Sequence, residues 1–238
     1  KRMTNNEEKS REWRYKCLTK RALQIYKQNE NQKNISVLTA HTASDQAETL
    51  IFNLSRGTDL AGLSSLKETR FLTEKIILIR PFLCFSRKDT SEICIDLSIP
   101  IWLDPSNKNN RLSRNKIRQE IMPIMENLHP GSTSRIAALS RRISKKKAVE
   151  DSLARLALQS LISLNGIERG KLKDIPLEAK CTLISCWLKS IDGPALNYKS
   201  LAEISLRISP KEPPGSKNLG QGWQISWGKD LIKLEKLS

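Results

Sequence analysis

Asp45 and Glu48 stand three residues apart in the stretch Ile35 to Gly57. On a helix that spacing puts two carboxylates on one side of the first turn. Two such acids could hold a divalent cation or a polar ligand. They could equally do no more than complement the positive end of a helix dipole. A second pair, Arg114 and Arg118, is spaced four apart, so a helix starting near Ser113 stacks two guanidinium forks on one face. Planar forks of that kind suit phosphate recognition; a solvated basic helix end has the same spacing.

The elements that must position these groups follow from periodicity. Ile35-Ser36-Val37-Leu38-Thr39-Ala40 is β-branched and apolar, the pattern of a short buried strand. Ala47, Leu50, Ile51 and Leu54 then recur at helical spacing. Ser44 is expected as N-cap and Gly57 as the stop. The acids would therefore sit at the carboxyl edge of a strand, where open α/β sheets bind ligands. Ile76-Ile77-Leu78-Ile79 is a second apolar strand, ended by Pro81. Ser86 and Asp89 have capping-box spacing, and Ile93, Cys94 and Leu97 are expected as the buried face of the helix they start. Ile101-Trp102-Leu103 reads as a short extended piece, so strand and helix alternate as in a parallel βαβ sheet.

Upstream, Glu7 to Tyr26 reads as a helix with Tyr15, Leu18, Ala22 and Ile25 in one stripe. Asn29–Asn34 and Thr58–Thr73 read as loops, and Pro123 is expected to break or kink the helix of Arg114. Composition changes after His129-Pro130-Gly131, which divides the chain into 1–130 and 131–238. Ser132 to Leu164 has helical periodicity, with Ile136, Leu139, Ile143, Leu153, Leu156 and Leu161 as its apolar stripe. Its other side carries Arg135, Arg141, Arg142, Lys145, Lys146 and Lys147, a basic face suited to an RNA backbone. Arg111 belongs to a basic segment of the first part, with Lys108, Arg114, Lys116 and Arg118. Leu177–Leu188 and Tyr198–Ile208 read as helices and Pro210–Gly222 as a loop. Trp223, Ile225 and Trp227 alternate into a terminal hairpin, where they are expected to pack on helices rather than stack on bases.

Composition narrows the partners. Forty-one Lys and Arg against 25 Asp and Glu give a formal charge of +16, which favours a polyanion such as nucleic acid. Five cysteines, an odd number with no C-x-x-C, argue against a disulfide framework or zinc ribbon. No run of 18 apolar residues occurs, so no membrane partner is expected.

With these residues in place, the chain resembles a known family. His41-Thr-Ala-Ser-Asp-Gln-Ala-Glu-Thr49 followed by Arg56-Gly57-Thr58, Leu60, Gly62 and Leu63 is similar to the H-H-x-D-D-x-x-E-T and R-G-x-x-L-x-G-L blocks of the tRNA(Ile)-lysidine synthetases. Arg11-Glu12-Trp13-Arg14-Tyr15 resembles their R-x-x-R-Y helix. Ile79-Arg80-Pro81, Ser86-Arg87, Asp104-Pro105-Ser106-Asn107 and Arg114-Asn115-Lys116-Ile117-Arg118 follow in family order.

The resemblance implies a partial Rossmann-like parallel sheet of the N-type ATP pyrophosphatase class, then a mainly helical domain with a small terminal β-hairpin. It implies ATP and L-lysine as substrates with Mg²⁺, and a tRNA(Ile) with a CAU anticodon whose wobble cytidine is activated by adenylation and then takes lysine at C2. Asp45, Glu48, Arg14 and Arg114 carry over as catalytic residues, the two acids also as metal ligands. His41, Arg56, Gly57, Asn115 and Arg118 carry over as substrate-binding. A homodimer in bacterial cytoplasm or plastid stroma is compatible with the family.

Thr42 and Ser44 depart from the family's second histidine and first aspartate. The S-G-G-x-D-S phosphate loop is absent, no glycine preceding Gly57, so the chain alone is expected to bind ATP poorly and not to catalyse. A thiolase of the same group, disfavoured by the missing C-x-x-C, and a non-catalytic tRNA-binding protein are the competing readings.

Overall fold

The computed structural model describes residues 4–28, 34–64, 66–102, 113–163 and 166–237. Two compact units emerge, Lys1–Lys145 and Lys146–Ser238. The division between these units falls inside a long helix.

The first unit opens with α1 (Thr4–Gln28), followed by β1 (Ile35–Leu38) and α2 (Ala43–Ser55). β1 lies parallel to β3 (Ile76–Ile79), Ile35 opposite Ile76 and Leu38 opposite Ile79. Ile76 and Leu78 are wholly buried and Ile77 and Ile79 half-buried, as a strand covered on both faces requires. The expected parallel pair is thus present. The sheet order is β1-β3-β2, and β2 (Thr69–Thr73) runs antiparallel to β3.

The stretch read as a loop over 58–73 therefore contains a short helix, α3 (Leu60–Leu63), and this edge strand. Thr69, Arg70 and Phe71 are exposed, and an edge strand with a polar outer face lacks the apolar run that marks a central one.

Two capping boxes fix the helices that follow the strands. α2 is capped by Thr42, not Ser44: the Thr42 hydroxyl accepts from the Asp45 N–H while the Asp45 carboxylate accepts from the Thr42 N–H. α4 (Arg87–Asp96) is capped by Ser86 and Asp89 in the same reciprocal way, as the spacing implies. Its expected buried face is not buried. Ile93 and Leu97 are exposed and Cys94 half-buried; among the described residues the hydrogen bonds that join α4 to the rest of the unit are those of Arg87 in its first turn.

α5 (Ser113–Lys116) leads through one π-helical turn, Ile117–Ile121, into α6 (Met122–Leu128). Pro123 sits in the first turn of α6 and does not end the helical path. The wider turn before it accommodates a residue that has no N–H to donate. Ala47, Ile117 and Met122 form the buried cluster, with Ile51, Phe52 and Ile136 against it.

α7 (Ser132–Leu161) supplies residues to both units. Its buried positions are Ser132, Ala137, Ser140, Ala154 and Leu158, while Leu139, Leu153 and Leu156 are exposed. The inward line is thus set by small residues that allow close approach, one position away from the bulkier stripe.

The second unit contains α8 (Leu177–Ser190), α9 (Tyr198–Arg207) and a five-stranded antiparallel sheet. Its strand order is β4 (Ile162–Ser163), β5 (Gly166–Glu168), β8 (Leu231–Lys236), β7 (Trp223–Trp227), β6 (Gly215–Gly220). The terminal hairpin is β7–β8, with β6 added from the stretch expected as a loop. Ile204, Ile208, Ile225 and Ile232 are almost completely buried between helices and sheet. Trp227 packs in this core and donates from Nε1 to the Pro213 carbonyl at 2.9 Å, the packing reading rather than the stacking one.

Arg169 is 2% exposed and donates to the carbonyls of Ile208, Gly228, Arg207, Ser209 and Glu212. It ties the end of α9 and two loops to the start of a 3-10 turn.

Candidate active site

β1 ends at Leu38, and α2 begins five residues later with its N-terminus held against the turn that precedes α4. The Ala43 N–H donates to the Phe85 carbonyl at 2.8 Å, and the Arg87 N–H to the Ser44 hydroxyl at 3.0 Å. These bonds bring two helix N-termini side by side and put the Arg87 side chain across the first turn of α2.

Arg87 bridges both acids. Its Nη1 donates to Glu48 Oε1 at 2.9 Å and its Nη2 to Asp45 Oδ1 at 3.0 Å. Arg118 comes from the other side, with Nε 2.9 Å from Glu48 Oε1, Nη2 3.0 Å from Oε2 and 3.5 Å from Asp45 Oδ1. Asp45 Oδ2 takes the Thr42 N–H and hydroxyl at 2.8 and 2.9 Å. Each of the four carboxylate oxygens thus already accepts a hydrogen bond.

Glu48 is buried at 3% exposure, where an ionised carboxylate persists only with partners of this strength. Burial pushes the Asp45 carboxyl upward, but the Thr42 N–H and the Arg87 guanidinium outweigh it and hold the group below the usual carboxylate range. The bond to Glu48 raises Arg118 above the ordinary arginine value.

Arg114, one turn before Arg118, donates from Nη2 to the Thr49 hydroxyl at 3.1 Å, and that hydroxyl donates to the Asp45 carbonyl. Asn115 is buried beside it. His41 meets Thr39 Oγ1 through Nδ1 at 3.0 Å. Burial first, then the positive field of Arg80, lowers His41 to about 4 against the opposing pull of Asp45, so it is neutral at pH 7.

The structure therefore gathers Asp45, Glu48, Arg114, Arg118 and His41 around the start of α2. No hydrogen bond or ion pair joins Arg14 to them among the described residues; its side chain is exposed on α1. Arg11, one turn earlier, is the α1 arginine that feels Arg114 and Arg80.

Arg56 and Gly57 form the end of α2. The N–H groups of Arg56 and Gly57 donate to the Asn53 and Leu54 carbonyls, Gly57 takes φ +67°, and the Arg56 guanidinium covers the Phe52 ring at 5.3 Å. That is a helix C-terminus, eight or more residues along α2 from the acids.

Arg141 is not part of a solvated basic face: its Nη1 donates to Gln46 Oε1 and the Leu83 carbonyl at 3.3 and 3.2 Å. Arg142, Lys145 and Lys146 are exposed. Arg111, Asp104-Pro105-Ser106-Asn107, Leu103 and the 29–33 loop lie outside the described residues.

Sequence spacing alone misses Arg87. It lies 39 residues from Glu48, and the signals that could have found it are its place after the Ser86 cap and the Ser86-Arg87 family block. Nor do the acids match a metal site as arranged. With every oxygen engaged by a guanidinium, a hydroxyl or an N–H, the pair is built for cationic nitrogen donors. Among the described residues no group of three or more His, Cys, Asp and Glu side chains converges.

Comparisons with known proteins agree with this architecture. The PP-loop domain family matches residues 1–125. A tRNA(Ile)-lysidine synthase of Prochlorococcus marinus is 42% identical over 234 residues, covering 98% of this chain and 70% of its own length. One from Nostoc is 34% identical over 225 residues, covering 86% and 63%. The chloroplastic tRNA(Ile)-lysidine synthase of Pyropia yezoensis is 45% identical over 122 residues, 51% of this chain and 35% of its own.

Proposed function

As the chain belongs to the tRNA(Ile)-lysidine synthase family of PP-loop proteins, we propose that it ligates L-lysine to C2 of the wobble cytidine in a tRNA(Ile) with a CAU anticodon, using ATP. The observation that carries this reading to particular residues is the doubly bridged acid pair, Asp45 and Glu48 held between Arg87 and Arg118. In this proposal the ring carbonyl oxygen of cytidine takes the adenylyl group, pyrophosphate leaves, and the lysine amine then displaces AMP at C2. Product formation swaps the base-pairing face, so the tRNA reads AUA in place of AUG.

Each step needs charge handling that these residues supply. The lysine side chain arrives as an ammonium, three donors and one positive charge. Asp45 and Glu48 present the complementary acceptors, and the geometry that now satisfies guanidinium N–H groups suits an ammonium that displaces part of Arg87. Arg87 has the more exposed side chain of the two bridges, 41% against 28% for Arg118, so it is the one we assign to yield. Arg114 and Arg118 then face developing phosphate charge, where fixed cations act on the transition state. Neutral His41, close enough to Asp45 to feel its charge, is available as a hydrogen-bond partner for the base.

We assign magnesium to the ATP phosphates rather than to Asp45 and Glu48, since the acids are saturated and Mg²⁺ commonly binds through substrate phosphates. No S-G-G-x-D-S motif occurs in these 238 residues, so no residue here is assigned to the triphosphate. Exposed Arg142, Lys145 and Lys146 on α7 are assigned to the tRNA backbone, as is Arg111. We keep 1–130 as the catalytic part and 131–238 as the RNA-binding part. Among the described residues no helix is long and apolar enough to cross a membrane; bacterial cytoplasm or plastid stroma is the proposed setting. A homodimer, also proposed, is read by sedimentation.

The test is a lysine- and ATP-dependent mass gain on tRNA(Ile). It is measured for this chain and for a hybrid in which these residues replace the matching segment of the Prochlorococcus marinus relative. A hybrid that binds tRNA but adds no lysine overturns the assignment.

A further inference from the structure

A groove of about 1020 Å³ runs between α1 and β2 in the first unit, apart from the acid pair. Its walls are unevenly charged. Arg11, Lys16, Lys20, Lys27 and Arg70 face it against Glu12 alone. Among the described residues Lys16, Lys20, Lys27 and Arg70 make no ion pair. Lys16, Lys20 and Lys27 follow one line along α1, about 6 Å and then about 10 Å apart by helical rise. Such a line can track successive phosphates of a single strand.

The floor of the groove is aromatic as well as basic. Tyr15 lies between the Arg11 and Arg70 guanidinium groups, 5.4 and 4.7 Å from its ring centre. Its hydroxyl meets Nη2 of Arg80 at 3.4 Å. Arg80 is 1% exposed, makes no ion pair among the described residues, and leaves its Nε without a hydrogen-bond partner. Its Nη1 donates to the Lys67 carbonyl at 2.5 Å, so the buried guanidinium is held by neutral acceptors and adds positive potential behind the groove. Phe71, 67% exposed on β2, also lines it and offers a face on which a base can stack.

We propose that the α1–β2 groove is a second RNA site that holds a single-stranded segment of the substrate, its phosphates along Lys16, Lys20 and Lys27 and a base on Phe71 beside Arg70. The inference rests on the proposed tRNA substrate and extends it to a surface outside the acid–arginine centre. A line of cations interleaved with aromatic faces favours a nucleic acid over an acidic protein, whose carboxylates have no use for the exposed ring.

The test is fluorescence anisotropy with a labelled single-stranded oligouridine across a salt series, without ATP or lysine. Combined Lys16→Ala, Lys20→Ala and Arg70→Ala is expected to flatten the salt slope by about 2, near 0.7 for each cation lost on a single strand. Phe71→Ala is expected to weaken binding about tenfold at high salt, and Phe71→Trp to restore it. Circular dichroism and urea midpoints check the fold. Should the alanine variant lose structure, Lys16→Gln with Lys20→Gln keeps helix propensity and is expected to flatten the slope by about 1.4. An unchanged slope in folded variants overturns the proposal, and so does equal displacement of the RNA by polyglutamate. Lysine addition to tRNA by the unsubstituted hybrid is scored separately, so a failed ligation with intact oligouridine binding sinks the proposed function and leaves the groove standing.

Discussion

Glu48 has the least freedom of any residue in the site. Its carboxylate is nearly sealed from water and depends on Arg118 for a two-pronged contact and on Arg87 for a third. Removing one partner from a buried pair leaves an unmatched charge, which is worse than removing both. Arg118→Met is therefore expected to lower unfolding stability by about 2–3 kcal/mol. The same change in a Glu48→Met background should cost distinctly less. A double-mutant cycle in urea measures the difference, and additive effects would contradict the coupling.

His41 gives the site a pH signature. Its folded value of about 4 lies below the ordinary histidine value of 6.5. Between those limits the unfolded chain binds more protons than the folded one, so stability is full above pH 6.5 and falls as pH drops toward 4. Asp45, also depressed, contributes in the same direction at lower pH, its share being lost as the pH falls through its folded value. His41→Gln should flatten the stability curve between pH 6.5 and 4. NMR titration of the His41 ring places the midpoint directly, and a midpoint near 6.5 would contradict the burial argument.

At the scale of elements, two capped helix starts decide where the acids point. Thr42 both caps α2 and supplies two donors to Asp45, so Thr42→Ala should cost about 1 kcal/mol in stability and leave Asp45 Oδ2 with the backbone donor alone. Ser44→Ala removes instead the acceptor for the Arg87 N–H and should loosen the approach of α4 with a smaller effect on α2. Amide exchange at Asp45 and at Arg87 separates the two outcomes: faster exchange at Asp45 in the first variant, at Arg87 in the second.

Much of this level is legible in the chain. The strand at Ile35, the α2 stripe and the Ser86-Asp89 cap follow from local pattern, and the family blocks bring Arg114 and Arg118 to the acids. What escapes is decided by tertiary neighbours. Arg87 meets Asp45 across 42 residues, and no periodicity encodes that meeting. β2 and β6 escape because Thr-Arg-Phe-Leu-Thr and Gly-Ser-Lys-Asn-Leu-Gly carry no continuous apolar run, pairing as they do at sheet edges. The stripe at Ile93 and Leu97 misleads for the opposite reason: its period is helical, but within the described residues no partner element covers it.

Across the whole chain, stability is distributed unevenly. The second unit buries a continuous cluster from α8, α9 and its sheet, with Ile204, Ile208, Ile225 and Ile232 at or below 1% exposure. Among the described residues the first unit's cluster of Ala47, Ile117 and Met122 is smaller, with Ile76, Leu78 and Leu83 buried outside it, and its site also invests buried side chains in charge. Free energy of burial scales with apolar area removed from water, so the second unit should open later. Hydrogen exchange should find amides of α8 and β7 protected to higher denaturant than those of α2 and β3.

Arg169 tests the same division from within. Its five carbonyl acceptors all belong to the second unit, and a hydrophobic replacement takes a donor from each, the Ser209 carbonyl keeping the Glu212 N–H. Arg169→Met should therefore advance the loss of protection in α8 and β7 toward that of α2, while the exchange of α2 itself moves little. A single shared shift of both sets would mean that the chain unfolds as one cooperative block, against two cores of such different size.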